Sequence, residues 1–411
     1  MLESGSRIHS IRRTKSYVSV WNITQMHLRN PYVIALWSAI FPGCGHIMLS
    51  KYILGFILFI WEIFINYQSQ LNLAILYTLL GRFRLAMEVV DTRWLLLYSP
   101  TYLYTIWDSY RSCVNINNLY RLASREDAPV ESFSINPLGI NYLRKKSPWI
   151  AFCWSIFSPG AGQLSIRQTI VAFFLIIWWI AIVYLSGVLP AISMSMLGRF
   201  DAARSVLNPQ WLLNIPSVYF FSMYDAYINT VGNNETLEWE LAKYLKNHYQ
   251  SASFPIPLGK KGGDKVYIVS HLEHTIKTEL AINALEEKGI LRDHILAVPM
   301  DRREQGFCRV NDTDSLSMLD IPMITAAVFA LLGLIYGFVL AWGPVLWAII
   351  GTIAGLGVGF LIKFAVNRRR AGVRKNADPG VVLLVDCDAG QTDMVQETLW
   401  TYSALGVSKL G

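Results

Sequence analysis

The sequence predicts a polytopic α-helical membrane protein with a tandem internal repeat. It adds a cytoplasmic α+β ferredoxin-like domain of βαββαβ order, interrupted by a transmembrane helical hairpin. Three observations predict this: apolar runs of bilayer length, a self-match at constant offset, and a change of periodicity after Gly259.

The apolar runs come first. Of 411 residues, 53% are hydrophobic and 16% charged, against roughly a quarter charged in soluble domains. "ITAAVFALLGLIYGFVLAW", "PVLWAIIGTIAGLGVGFLIKFAV" and "IVAFFLIIWWIAIVYLSGVLPAI" approach or exceed the roughly 18–20 residues that cross a bilayer. The net charge of +7 comes from basic residues flanking these runs, which suits an anionic cytoplasmic leaflet better than nucleic acid. The lipid bilayer is therefore the expected partner. Arg7, Arg12, Arg13, Lys15 and Arg29 precede the first run with no small-residue cleavage site after them, so no signal peptide is expected. Cys44, Cys113, Cys153, Cys308 and Cys387 are scattered, without a CxxC pair, which argues against a disulfide framework and a zinc site.

The self-match appears when the chain slides by 117 residues, the distance from Trp37 to Trp154. Residues 31–117 then align with 148–234 without a gap, and about a third of the positions are identical, far above chance for so long a register. The matches include Pro42/Pro159, Gly43/Gly160, Gly45/Gly162, "LGRF" at 80–83 and 197–200, and Asp108/Asp225. A short tail recurs at another offset, "SFSINPLG" at 132–139 and "SFPIPLG" at 253–259. The expected order is a basic arm (1–30), a first membrane unit (31–139) and a second (148–259). A first βαβ half (264–300), the hairpin (323–365) and a second βαβ half (379–411) follow.

Each unit reads as a broken apolar segment (33–49; 150–166), a strong span (52–69; 169–186), an amphipathic stretch (71–90; 188–207) and an aromatic span (94–110; 211–227). Basic residues before the first unit and between the units place both flanks on the cytoplasmic side, so each unit crosses an even number of times. The Pro-Gly breaks make that count possible. Proline removes a donor and glycine permits a tight turn, so the first segment turns back instead of crossing. An ion or substrate site at the breaks is the alternative. "PGCGHIMLSKYILG" resembles the PGxG-[H/Q] turn of small TM2-like membrane hairpin proteins.

After Gly259 the pattern changes. "KVYIVS" and "HILAVP" read as strands around a helix at 273–289, with Ile276, Leu280, Ala281 and Leu285 on its apolar face. "GVVLLVDC" is a third strand, "TDMVQETLWTYSAL" a second helix and "GVSKLG" a last strand. The hairpin falls between the second and third strands, which are antiparallel neighbours in a ferredoxin-like fold. Arg302, Arg303, Arg368, Arg369, Arg370, Arg374 and Lys375 flank it, again on the cytoplasmic side. The layout resembles bacterial general-stress-type membrane proteins with a glycine-zipper hairpin between two βαβ halves. That resemblance covers about residues 264–411, implies a regulatory or stress-related role, and carries no catalytic residue.

Gly351, Gly355 and Gly359, with Gly333 and Gly337, make stripes of small residues four apart. They are expected to pack the hairpin helices together, or to build a homo-oligomer. Arg82 with Asp108, and Arg199 with Asp225, are candidate ion pairs that fix helix packing. Glu62 is a candidate ligand group within a span, although Trp179 replaces it in the second unit. His271 and His274 flank a helix start, and Asp386, Asp388 and Asp393 follow a strand. They are weak ligand candidates against the commoner cap reading. P-loop, HExxH, GxSxG and EF-hand patterns are missing. No catalytic residue, cofactor or metal is expected. The leading expectation is a non-enzymatic membrane sensor, regulator or scaffold; a transporter or channel component with a path between the units is the alternative.

Overall fold

A computed structural model describes residues 12–250, 254, 265–300, 317–368 and 380–410. Arg7, Arg302, Arg303, Arg369, Arg370, Arg374, Lys375, Cys308 and nearly all of the 253–259 tail lie outside them. The chain divides into two compact units. A helical body comprises 1–141, 147–231 and 313–371, and an α/β body comprises 142–146, 232–312 and 372–411.

The helical body opens with an antiparallel hairpin, β1 (Ser16–Val18) and β2 (Ile23–Gln25). Six helices follow: α1 (Pro31–Ile40), α2 (Cys44–Met48), α3 (Tyr52–Ser69), α4 (Leu71–Leu79), α5 (Phe83–Val89) and α6 (Thr92–Arg125). The series then starts again with β3 (Phe133–Asn136), β4 (Gly139–Tyr142), α7 (Pro148–Phe157), α8 (Ala161–Ser165) and α9 (Thr169–Ser186). It continues through α10 (Val188–Met196), α11 (Phe200–Val206), α12 (Pro209–Leu212) and α13 (Asn214–His248). The β1–β2 hairpin, which the sequence hid within a basic arm, has its counterpart in β3–β4.

Backbone conformations recur with the elements. Positive φ falls at Gly43 and Gly160 (94° and 96°), Ser50 and Arg167 (59° and 65°), Gln70 and Gly187 (55° and 68°), and Gly81 and Gly198 (74° and 72°). Each pair lies at the same offset as Trp37 and Trp154. The last pair splits each expected amphipathic stretch into two helices, α4–α5 and α10–α11.

Among the described residues, three helices are long and apolar enough to cross a membrane by length and composition: α3, α9 and the hairpin's second helix, over Gly343–Val366. The aromatic spans expected at 94–110 and 211–227 are not among them. The first falls inside α6, of 34 residues, and the second runs from α12 into α13, of 35 residues; arginine, aspartate, asparagine and serine in these helices lower the hydropathy. The hairpin joins α15 (Asp320–Tyr336) to α16 (Gly343–Arg368), after the α/β body's α14 (Ile276–Glu287). A Cβ on Gly333 would meet the Trp347 carbonyl, on Gly351 the Phe329 carbonyl, and on Gly355 the Thr325 carbonyl. Gly337 and Gly359 face Pro344 and Pro322 as closely. Thr325 Oγ1 donates to the Gly355 carbonyl at 2.8 Å. The glycine stripe expected to serve either the hairpin or a second copy is thus filled by the opposite arm of the hairpin.

The α/β body contains β5 (Lys265–Leu272), β6 (Ile295–Pro299), β7 (Val381–Asp388), α17 (Thr392–Thr401) and β8 (Gly406–Leu410). Its four-stranded sheet has the order β6-β7-β5-β8, with every described pairing antiparallel. β6 and β7 are neighbours, so the hairpin leaves and returns at adjacent strands. The buried strand positions alternate, Ile268 and Leu272 on β5, Leu383 and Val385 on β7, as a one-faced sheet requires. α14 covers that face with Thr278, Ala281, Ile282 and Leu285. Ile276 and Leu280, expected on the buried face, are 62% and 47% exposed. The i, i+3, i+4, i+7 stripe starts at Thr278, which leaves those two on its flank.

Candidate functional site

The two Pro-Gly breaks are the best-defined polar structures in the helical body. Asn30 accepts from the Tyr32 amide and Pro31 opens α1 at N1, so that helix starts where spare donors are capped. Phe41 is extended and Gly43 left-handed; Ser158 and Gly160 repeat this before α8. Pro42 and Pro159 are buried and lie between the helices, outside both. Cys44 N donates to Phe41 O at 3.2 Å, and Ala161 N to Ser158 O at 3.0 Å. Proline and glycine are therefore the central pair of a four-residue turn. The fixed φ of proline suits the first central position, and the positive φ of glycine the second.

Gly43 must lack a side chain, because a Cβ would press on the Gly55 carbonyl and lie 2.8 Å from the Phe59 nitrogen. Gly160 is held against the Ala172 carbonyl, 2.5 Å from the Cβ position. Gly45 sits against the Ile34 carbonyl, at 2.7 Å, and Ser38; Gly162 sits against Ala151 and Ser155. α2 therefore folds back onto α1, and α8 onto α7.

Hydrogen bonds along α6 show how far the chain travels before it turns. Asn117 clasps the Arg29 backbone, accepting from N at 3.0 Å and donating to O at 2.8 Å. Tyr102 donates to the Ala39 carbonyl at 2.7 Å, His46 Nε2 lies 3.1 Å from Asp108 Oδ2, and Lys51 donates to Ser112 at 2.6 Å. From Asn117 to Tyr102 is about 22 Å of helix. The chain enters beside residue 117, reaches the level of residue 102, and is back beside residue 112 before α3 begins. The second series does the same along α13. Tyr219 donates to Ile156 O at 2.7 Å, Gln163 to Asp225 at 3.0 Å and Asn229 to Gln168 at 3.3 Å. Within the α/β body, Asn234 clasps the Lys146 backbone at 3.0 and 2.7 Å, as Asn117 does Arg29. At both breaks the chain turns back along the long helix that follows, α6 or α13.

Neither aspartate meets the arginine expected beside it. Arg82 and Arg199 stand exposed as N-caps of α5 and α11, far along the chain from the breaks. Asp108 meets His46, and Ser112 Oγ donates to its Oδ2 at 3.3 Å while accepting from Lys51. Asp225, fully buried, accepts from Gln163 and from Asn229 Nδ2 at 2.9 Å, and Asn229 accepts from Arg29 Nη2 at 2.5 Å. Each aspartate thus reaches a cation through one bridging side chain, Ser112 or Asn229, at equivalent positions. Sequence reasoning missed Arg29, His46, Lys51, Gln163 and Asn229; the signal was a polar residue at the same offset in both series.

Two further buried clusters complete the body. Tyr224 donates to Asp320 of α15 at 2.7 Å and stacks on Trp37, with ring centroids 5.4 Å apart. Glu62, the candidate ligand group within a span, is 5% exposed. It accepts from Asn66 at 3.2 Å, and Asn66, Asn72, Gln210 and Asn214 form a closed amide set joining α3 and α4 to α12 and α13. Asparagine and glutamine suit such a place, since each donates and accepts.

In the α/β body, Asp386 is buried and pairs with His294 at 2.8 Å. His271 pairs in register with Val382, so it stands apart from Asp386, which pairs with Tyr267. Asp388 caps a short 3₁₀ turn through a capping box with Gln391, the cap role that competed with ligand binding. Among the described residues, no three or more of His, Cys, Asp and Glu are grouped to hold a metal ion. No known protein family, curated protein or solved structure matches the chain.

Proposed function

We propose that the chain is a multi-pass membrane protein without enzymatic activity, a sensor, regulator or scaffold. It consists of two tandem copies of one helical unit and a cytoplasmic ferredoxin-like domain carried on a glycine-zipper hairpin. One observation carries the reading: hydrogen bonds at equal spacing turn the first helix of each series back on itself. α3 and α6 then form an out-and-back pair, since Asp91 N donates to Ser69 O at the far end. Each copy starts and ends on one side, which suits parallel duplication.

Outward-facing Ile53, Ile57 and Ile60 of α3, Phe173, Ile177 and Ile180 of α9, and Ile353, Leu361 and Phe364 of α16 are exposed. Lipid accounts for such apolar faces. The sheet order β6-β7-β5-β8 and the two helices α14 and α17 support the ferredoxin-like reading of the α/β body. The regulatory and stress-linked role is what the general-stress-type layout implies.

Cysteine labelling tests the topology in intact cells. With Cys153 and Cys308 replaced by serine, single cysteines at Ser50, Val130, Arg167 and Trp342 report the sides. Labelling by an impermeant maleimide at 342 alone supports the reading; opposite sides for 50 and 130 overturns it. A transporter component is the second reading, favoured by the buried Arg29, Asp225, Asp320 and Lys363. It requires that Asp225→Asn abolish ion flux in reconstituted vesicles.

A further inference from the structure

The two breaks hold their aspartates with equivalent side chains of unlike chemistry. In the second series the partners of Asp225 are Gln163 and Asn229, with Gln168 behind Asn229. None of these amides exchanges a proton near neutral pH. At the same positions the first series has His46, Ser112 and Lys51 around Asp108. The contact distances match, 3.1 Å for His46 to Asp108 and 3.0 Å for Gln163 to Asp225. An amide therefore suffices to hold the turn, and holding does not explain the imidazole.

Access also differs. The Asp108 side chain is 18% exposed while that of His46 is fully buried; Asp225 is fully buried. Asp108 forms the outer end of a pair whose inner end is His46, and His46 Nδ1 has no hydrogen-bond partner. A buried imidazole with one nitrogen free and the other on a partly exposed carboxylate is placed to gain and lose a proton.

We propose that His46 and Asp108 form a proton-binding histidine–carboxylate site that only the first series carries, Gln163 beside Asp225 being a side chain that cannot take up a proton. Hydronium gives its proton to the Asp108 carboxylate and leaves as water. The carboxylic acid passes that proton to His46 Nε2, and an imidazolium–carboxylate pair remains. Ser112 and Lys51 position the carboxylate and stabilise its charge before and after transfer. The charged groups acting on the imidazole are Asp108 and Lys51. Other titratable groups on the packed elements include Tyr32 of α1, Cys44 of α2, Tyr52 and Glu62 of α3, and Tyr102, Tyr104, Tyr110, Arg111 and Cys113 of α6. The site deepens the sensor reading by naming the proton as the input, and it rests on that reading.

The test uses the full chain, labelled with ¹⁵N-histidine, in phosphatidylcholine–phosphatidylglycerol nanodiscs. His46→Gln identifies the resonance and installs the side chain that the second series already accommodates. The expected result is a reversible titration of that resonance between about pH 5 and 8, with its midpoint displaced by about half a unit or more in Asp108→Asn. A resonance that stays constant over this range, or a midpoint unchanged in Asp108→Asn, overturns the proposal. Cysteine labelling and this titration are independent readouts. Wrong-sided labels with a normal titration would sink the topology alone; a flat titration with correct labels would sink the proton site alone.

Discussion

Gln163 Nε2 donates to one oxygen of Asp225 at 3.0 Å, while Asn229 occupies the other at 2.9 Å. Replacing Asp225 with alanine takes the carboxylate acceptor from one N–H of each of two buried amides, at about 1–3 kcal/mol each. Arg199→Ala removes an exposed side chain and should change stability by less than about 0.5 kcal/mol. Thermal unfolding in micelles compares the two. Equal effects would restore an Arg199–Asp225 pair.

The breaks depend on glycine in two separable ways. Gly43→Ala and Gly160→Ala combine left-handed backbone with a clash against Gly55 and Phe59, or Ala172, and each should cost about 2 kcal/mol or more. Gly81 and Gly198 share the conformation but have nothing within 4 Å of the Cβ position. Alanine there should cost only about 1 kcal/mol. Unfolding midpoints that do not separate the pairs would show that close packing adds nothing at the breaks.

Hairpin glycines should divide by facing. Gly355→Ala pushes a methyl onto the Thr325 carbonyl and the Ala326 Cα, whereas Gly357 has open space on its side. Gly357→Ala should be neutral or stabilising by up to about 1 kcal/mol, since alanine favours the helix. Gly355→Ala should destabilise by about 1–3 kcal/mol. Midpoints of hairpin unfolding in micelles decide this; the opposite order would mean that the helices pack through another face.

His27 precedes α1, and burial, reinforced by the Arg29 charge, holds its imidazole down at about 3 against an ordinary 6.5. Below 6.5 the unfolded chain binds a proton that the folded one refuses until about pH 3. Stability therefore falls as pH drops through that window. Between about pH 7 and 4 the wild-type unfolding midpoint should fall further than that of His27→Gln. Parallel losses would remove His27 from the acid response.

Much of the scaffold was legible. The constant offset located both breaks, and period-2 and period-3.6 patterns located the strands and helices of the α/β body. The aromatic segments were harder, because α6 and α13 bury serine, threonine and asparagine against neighbours and so lack the hydropathy of a lone span. The ion pairs failed for a related reason. Shared charge at a constant offset shows that Arg82 and Asp108 have counterparts, and says nothing of whether they meet. The Ile276–Leu280 face failed because helical phase on a short helix depends on where the sheet lies.

By itself the sequence determined where the chain breaks and that it does so twice, at Pro42-Gly43 and Pro159-Gly160. Proline cannot continue a helix's hydrogen bonding, and only glycine accepts φ near 95° without strain. It also marked α3, α9 and α16 as apolar enough to cross a bilayer. Only the tertiary structure decided which side chains meet across the breaks. Hydrogen bonds act over about 3 Å, and residues separated by 62 positions come that close only when a helix returns along another.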